Sequence, residues 1–174
     1  MKITTFYKYI PILNTYGLYS EMTEFCKSHG IRGRIMIGRE GINGTISGER
    51  DKLEEYKKYL KKKKIFCDIV FKDINYEEHV FDKLVIRLRK DIVNFNVKNV
   101  DLNKTGKRIS PKHLKKLLDN NDNVVLLDVR NNYEAKVGKF KRAVTLDIDN
   151  FRNFPDVLPK LFDSIKEVSV LVLC

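Results

Sequence analysis

The stretch Gly33-Arg34-Ile35-Met36-Ile37-Gly38-Arg39-Glu40-Gly41-Ile42-Asn43-Gly44-Thr45-Ile46-Ser47-Gly48 decides the fold of the first half of the chain. Ile35 and Ile37 alternate with Arg34 and Met36, the two-residue period of a strand with one apolar face. Asn43-Gly44 is a tight-turn signal, because both residue types tolerate positive φ. Residues 32–46 therefore predict a β-hairpin. The glycines at 38, 41, 44 and 48 also suggest a phosphate cradle, but no Gly-Lys-Ser/Thr follows and the spacing suits a hairpin better.

On the N-terminal side, Ile3 to Ile10 is β-branched and aromatic and stops at Pro11, which predicts a strand. Leu18, Tyr19, Met22, Phe25 and Cys26 then recur at helical spacing up to Gly30. On the C-terminal side, Leu53, Tyr56 and Leu60 mark one face of a second helix starting near Asp51, and Lys61 to Lys64 sit where cations suit its dipole. Ile65, Cys67, Ile69 and Phe71 alternate with Phe66, Asp68 and Val70 and predict another strand with Cys67 on its apolar face. A last strand is expected over 84–93, with Leu84, Ile86 and Leu88 on one face and Arg87 and Arg89 on the other. Strand, helix, hairpin, helix and strands in that order describe a ferredoxin-like α+β domain over residues 1–97.

Asn99 to Arg108 is polar, holds a glycine and lacks apolar periodicity, so residues 98–109 are expected to be a linker. Ser110-Pro111 opens a helix whose buried face is Leu114, Leu117 and Leu118. Val124-Val125-Leu126-Leu127 and the run from Val168 to Leu173 are short, continuously apolar segments separated by enough chain for a crossover. Residues 110–174 therefore predict an α/β domain with parallel strands.

The 174 residues carry 34 Lys/Arg against 23 Asp/Glu, a formal charge of +11 distributed over both halves. Such an excess steers a chain toward polyanions, nucleic acid first, with a simply solvated surface as the alternative. Arg34, Arg39, Arg87 and Arg89 are the candidates for a basic face on the first domain. The start shows no secretory signal, no run is long and apolar enough to cross a bilayer, and Cys26, Cys67 and Cys174 show neither pairing nor ligand spacing. These features predict a cytoplasmic protein without a membrane partner. His29, His79 and His113 are dispersed, so no metal site and no bound cofactor are expected.

Chemistry is expected at the carboxyl ends of parallel strands. Asp128-Val129-Arg130 leaves one such end and Cys174 stands at the other, either as an activated thiol or as a thiol buried at a strand end. Cys26, on a helical apolar stripe, is expected to fill core.

Three segments together resemble a family. Leu126-Leu127-Asp128-Val129-Arg130-Asn131-Asn132-Tyr133-Glu134, then Gly138-Lys139-Phe140-Lys141-Arg142-Ala143, then Val170-Leu171-Val172-Leu173-Cys174 are similar to the rhodanese pattern in its usual order. With the 33–48 stretch, its Glu-Gly-Ile-Asn-Gly-Thr core, and the basic strand from Lys83 to Val93, the chain resembles the bacterial rhodanese-domain proteins that hydroxylate the wobble uridine of tRNA. The resemblance implies an oxygen-dependent hydroxylase forming 5-hydroxyuridine, with molecular oxygen as co-substrate and tRNA as partner. It implies Cys174 as the active cysteine, working through a persulfide, with Asp128, Arg130 and Glu134 supporting the site. A persulfide-carrying sulfurtransferase and an inactive RNA-binding remnant are the alternative functions. Lys139 and Arg142 stand where the family has histidine and glycine. The sequence stops at Cys174 without the family's following loop, so the rhodanese-like domain is expected to be incomplete and the 174-residue chain inactive.

Overall fold

A computed structural model describes residues 1–90, 92, 106–120, 123–165 and 169–173. The chain divides into two compact units, Met1–Val93 and Asn94–Cys174. The expected linker at 98–109 lies mostly outside the described residues.

In the first unit, β1 (Lys2–Tyr9) leads to α1 (Thr15–Ser28), the hairpin β2 (Arg32–Gly38) and β3 (Gly41–Gly48), α2 (Arg50–Lys62), β4 (Phe71–Asn75) and β5 (Leu84–Leu88). The sheet order is β4-β1-β3-β2-β5. β3 runs antiparallel to both β1 and β2, and β4 antiparallel to β1, which is the ferredoxin-like arrangement; β5 is added parallel to β2. The Asn14 side chain accepts a hydrogen bond from Gly17 N at 2.8 Å to cap α1, and Gly30, at φ 64°, ends it.

Both helices cover one face of this sheet. Leu18, Met22 and Cys26 from α1 and Leu53, Tyr56 and Leu60 from α2 bury against Phe6, Ile35, Ile37, Ile42 and Ile46. Each large apolar side chain so buried contributes roughly 1.5–3 kcal/mol. Burial pushes the Cys26 thiol up to about 12, which makes it core material and a poor nucleophile.

The hairpin forms, but its turn is at Arg39-Glu40, and Asn43 and Gly44 are strand residues of β3. Gly44 is required for a different reason: a Cβ there would come within 2.6 Å of the Phe6 ring across the sheet. Gly41, at φ 150°, pairs with Gly38 across the turn and holds a conformation that side chains rarely adopt.

The strand expected over 65–71 is instead a single 3-10 turn, Lys64–Phe66, followed later by β4. Phe66 and Ile69, three residues apart, take the buried positions, and Cys67 is exposed rather than buried. β5 stops at Leu88 rather than running to 93.

In the second unit, α3 (Pro111–Asp119) is capped as expected by Ser110, whose Oγ accepts from His113 N at 3.2 Å. Its leucines 114, 117 and 118 are half-buried rather than buried. β6 (Val124–Asp128), α4 (Asn132–Val137), β7 (Val144–Thr145), α5 (Phe154–Ile165) and β8 (Ser169–Leu173) follow. β6 is central, with β7 and β8 parallel on its two sides. Helices in both crossovers meet the requirement that parallel neighbours impose. Leu127, Val129, Leu146 and Ile148 form the core, with Phe154, Val157 and Leu161 packed against it. The second unit is thus an α/β structure around a small parallel sheet.

Candidate functional site

Two regions bring the singled-out residues together, one in each unit. In the second unit, the parallel registers align the carboxyl ends of the three strands: Asp128 pairs with Thr145 in β7 and with Leu173 in β8. Cys174, next after Leu173, lies outside the described residues.

Asp128 is fully buried. Arg130 donates Nε to Asp128 Oδ1 at 2.9 Å and Nη2 to Oδ2 at 2.6 Å, a two-pronged pair, and its backbone N–H donates to Oδ1 at 3.2 Å. The same Nη2 donates to Gly138 O at 2.7 Å, so one guanidinium links the end of β6 to the end of α4. The guanidinium beside it holds the Asp128 carboxyl below its ordinary range. Glu134 closes the start of α4: its carboxylate accepts from Asn131 N at 3.2 Å and Asn131 Nδ2 at 2.9 Å. Asn132 continues the linkage. Its Nδ2 donates to Asp147 at 2.8 Å and Asp149 at 3.1 Å, and its N–H donates to Ile148 O. Asp128 and Arg130 therefore tie the end of β6 to the end of α4, while Glu134 closes the start of α4. The contribution of Asn132 was not foreseen; only the fold brings residues 147–149 back to it.

The turn that follows α4 carries a second feature. Ala143 N donates to Phe140 O at 3.0 Å, and Arg142, the third residue of that turn, has φ 69°. Positive φ at the third position alone among the two central residues marks a type II turn, where glycine is favoured. This is the position at which the resembled family carries glycine.

In the first unit, Arg34 and Arg87 share the sheet face opposite the helices. Met36 pairs with Arg87 and Arg34 with Val85, so the two arginines lie on adjacent strands two positions apart. Arg39 is in the hairpin turn and Arg89 just beyond β5, its N–H donating to Ile37 O at 2.9 Å. All four are exposed. Register and alternation add residues that were not singled out. Tyr7, Asn43, Met36 and Arg87 make one row across the sheet, and Lys72, Thr5, Thr45 and Arg34 make the next. The signal in the sequence was the alternation in β1; what it lacked was which strands lie beside β1.

Among the described residues, no group of three His, Cys, Asp or Glu is arranged to hold a metal ion. No helix of the described residues is long and apolar enough to cross a membrane.

Residues 1–92 match the family model described as the UPF0176 acylphosphatase like domain. A protein of Cytophaga hutchinsonii named tRNA uridine(34) hydroxylase is 41% identical over 174 residues, covering 99% of this chain and 55% of that protein. A Streptococcus suis protein of the same name is 36% identical over 181 residues, covering 100% of the chain and 55% of its own length. A Legionella pneumophila protein of that name is 35% identical over 173 residues and is covered to 68%. The chain spans about half the length of the first two.

Proposed function

The chain belongs to the family of the tRNA uridine(34) hydroxylases, and from that membership we propose that it serves oxygen-dependent formation of 5-hydroxyuridine at the wobble position of tRNA. The observation that carries this reading is the identity of 41% along 99% of the chain, which takes in both units. In this reading molecular oxygen is a co-substrate, tRNA is the partner and the cytoplasm is the working compartment.

The division of labour follows the two units, joined through residues 98–109. The first grips RNA phosphates with Arg34, Arg39, Arg87 and Arg89; their exposure and shared charge support it. The second is the rhodanese-like part and contributes Cys174 as the active thiol. The shared carboxyl ends of β6, β7 and β8 support this role, since ligands of open parallel sheets gather there. Asp128, Arg130 and Glu134 are positioning residues in that scheme.

Mass analysis of tRNA nucleosides from a strain lacking the gene tests the reading. Loss of 5-hydroxyuridine, restored by the full-length gene and not by a Cys174→Ser form of it, is the expected result. Loss of a thiolated base instead would reassign the protein as a sulfurtransferase. Unchanged nucleosides would remove the enzymatic reading altogether.

A further inference from the structure

The turn between α4 and β7, in the second unit, has a chemistry of its own. Residues 135–146 carry four cations, Lys136, Lys139, Lys141 and Arg142, and no acid. The acids on either side are already engaged: Glu134 accepts from Asn131, and Asp147 accepts from Asn132. Lys139 and Lys141 are exposed, and neither forms an ion pair among the described residues. Phe140, between them, is 50% exposed, and its ring meets no other ring or cation among the described residues.

This turn is held in one shape and in one place. Arg130 donates to Gly138 O at 2.7 Å just before it, Ala143 N donates to Phe140 O at 3.0 Å across it, and Ala143 is buried behind it. Ala143 leads directly into β7, whose Thr145 pairs with Asp128 at the carboxyl end of β6. The Asp128 carboxyl, held down first by Arg130, also feels the charge of Lys139. A cation, a ring and a cation thus follow one another beside the sheet end where ligands gather. Unpaired nucleotides supply both complements at every step, a flat π-face and a negative charge. A duplex keeps its base faces stacked away, whereas an RNA loop offers them. A turn fixed beforehand also loses little conformational freedom when it binds.

We propose that the 139–141 turn is the second unit's own contact with the single-stranded part of the tRNA, Phe140 stacking one base and Lys139 and Lys141 holding the phosphates on either side. The proposal rests on the tRNA reading above and goes beyond it, because that reading places every RNA contact in the first unit. It also accounts for Lys139, which stands where the resembled family has histidine.

The test titrates the 174-residue chain with a tRNA anticodon stem-loop carrying one 4-thiouridine at or beside the wobble position, then photocrosslinks the complex. Mass spectrometry of the digested adduct should find the crosslink on the peptide bearing Phe140. Phe140→Leu should weaken loop binding about 5- to 150-fold with the salt slope unchanged, and Phe140→Tyr should restore it. Lys139→Gln with Lys141→Gln should instead lower the slope of log K against log salt by about 1.4, at about 0.7 for each phosphate of a single strand. If both variants bind as the parent does while Arg34→Gln with Arg87→Gln weakens binding, the turn is no RNA contact and the tRNA reading stands without it. If the parent chain binds no RNA, the tRNA reading itself fails. Crosslinks confined to the first unit of the parent would overturn the proposal whatever the variants do to stability. A lower melting temperature in Phe140→Leu with RNA affinity intact would assign the ring to protein packing and overturn it as well.

Discussion

Arg130 grips both carboxylate oxygens of Asp128, which is fully buried at the end of β6, and with the same Nη2 holds the carbonyl of Gly138. The pair sets a pH dependence. The Asp128 carboxyl is held below its ordinary range by the guanidinium, so the group binds its proton more weakly folded than unfolded. Its contribution is therefore complete above the unfolded value of about 3.9 and is lost as pH falls through the folded value. Urea titrations followed by second-unit amide resonances should show the midpoint falling below about pH 4 in the parent. Asp128→Asn should be less stable at pH 7 and flatter across that window. Arg130→Lys should recover only part of the parent behaviour, because an ammonium cannot reproduce the fork.

Arg142 sits at φ 69° in the third position of a type II turn. A left-handed residue with a Cβ costs about 1–2 kcal/mol, of which glycine's greater unfolded freedom returns a part. Arg142→Gly should raise second-unit stability by about 0.5–1 kcal/mol in the same titration. A loss of stability would mean that the arginine's own contacts outweigh the strain.

Tyr56 is fully buried between α2 and the sheet, and its hydroxyl has no hydrogen-bond partner among the described residues. Burial also keeps that phenol protonated far into alkaline pH. Removing an unpartnered buried oxygen while keeping the ring is stabilising. Tyr56→Phe should gain about 1 kcal/mol, roughly 4–8 °C in the first unit's midpoint by calorimetry.

Residues 98–109 contain Lys98, Lys104, Lys107 and Arg108, all trypsin sites. Brief digestion should cut there first and release two fragments, the larger, N-terminal residues 1 to about 104, retaining its far-UV dichroism. First cuts inside 32–48 would contradict the two-unit organisation.

The elements that the sequence made legible are those fixed by local rules. Ser110-Pro111 announced a helix through capping, and Leu84, Ile86 and Leu88 announced a strand face through alternation. The failures have separate causes. Gly44 looked like a turn residue because a glycine states only that a side chain is not tolerated, not whether backbone twist or a ring such as Phe6 excludes it. Cys67 followed an alternation with Ile65 and Ile69, yet a 3-10 turn buried Phe66 and Ile69 instead. In the candidate site, Asp128, Arg130 and Glu134 are close in sequence and were named together. Tyr7 and Lys72 were not joined to Arg34 and Arg87, because only the order β4-β1-β3-β2-β5 makes them neighbours.

The two sheets differ in when their partners become available. Every strand of the first sheet, including the added β5, is encoded before Val93, and β1 finds its neighbours in the hairpin that follows α1. In the second, β6 pairs with β8 only after α4, β7 and α5 have been made. During synthesis, which proceeds from the N-terminus, the first unit can close its hydrogen bonds on the ribosome while β6 still waits with one edge open. That interval is when the apolar run Val124–Leu127 is most exposed to wrong partners, and the cell's chaperones would meet this chain by its second half.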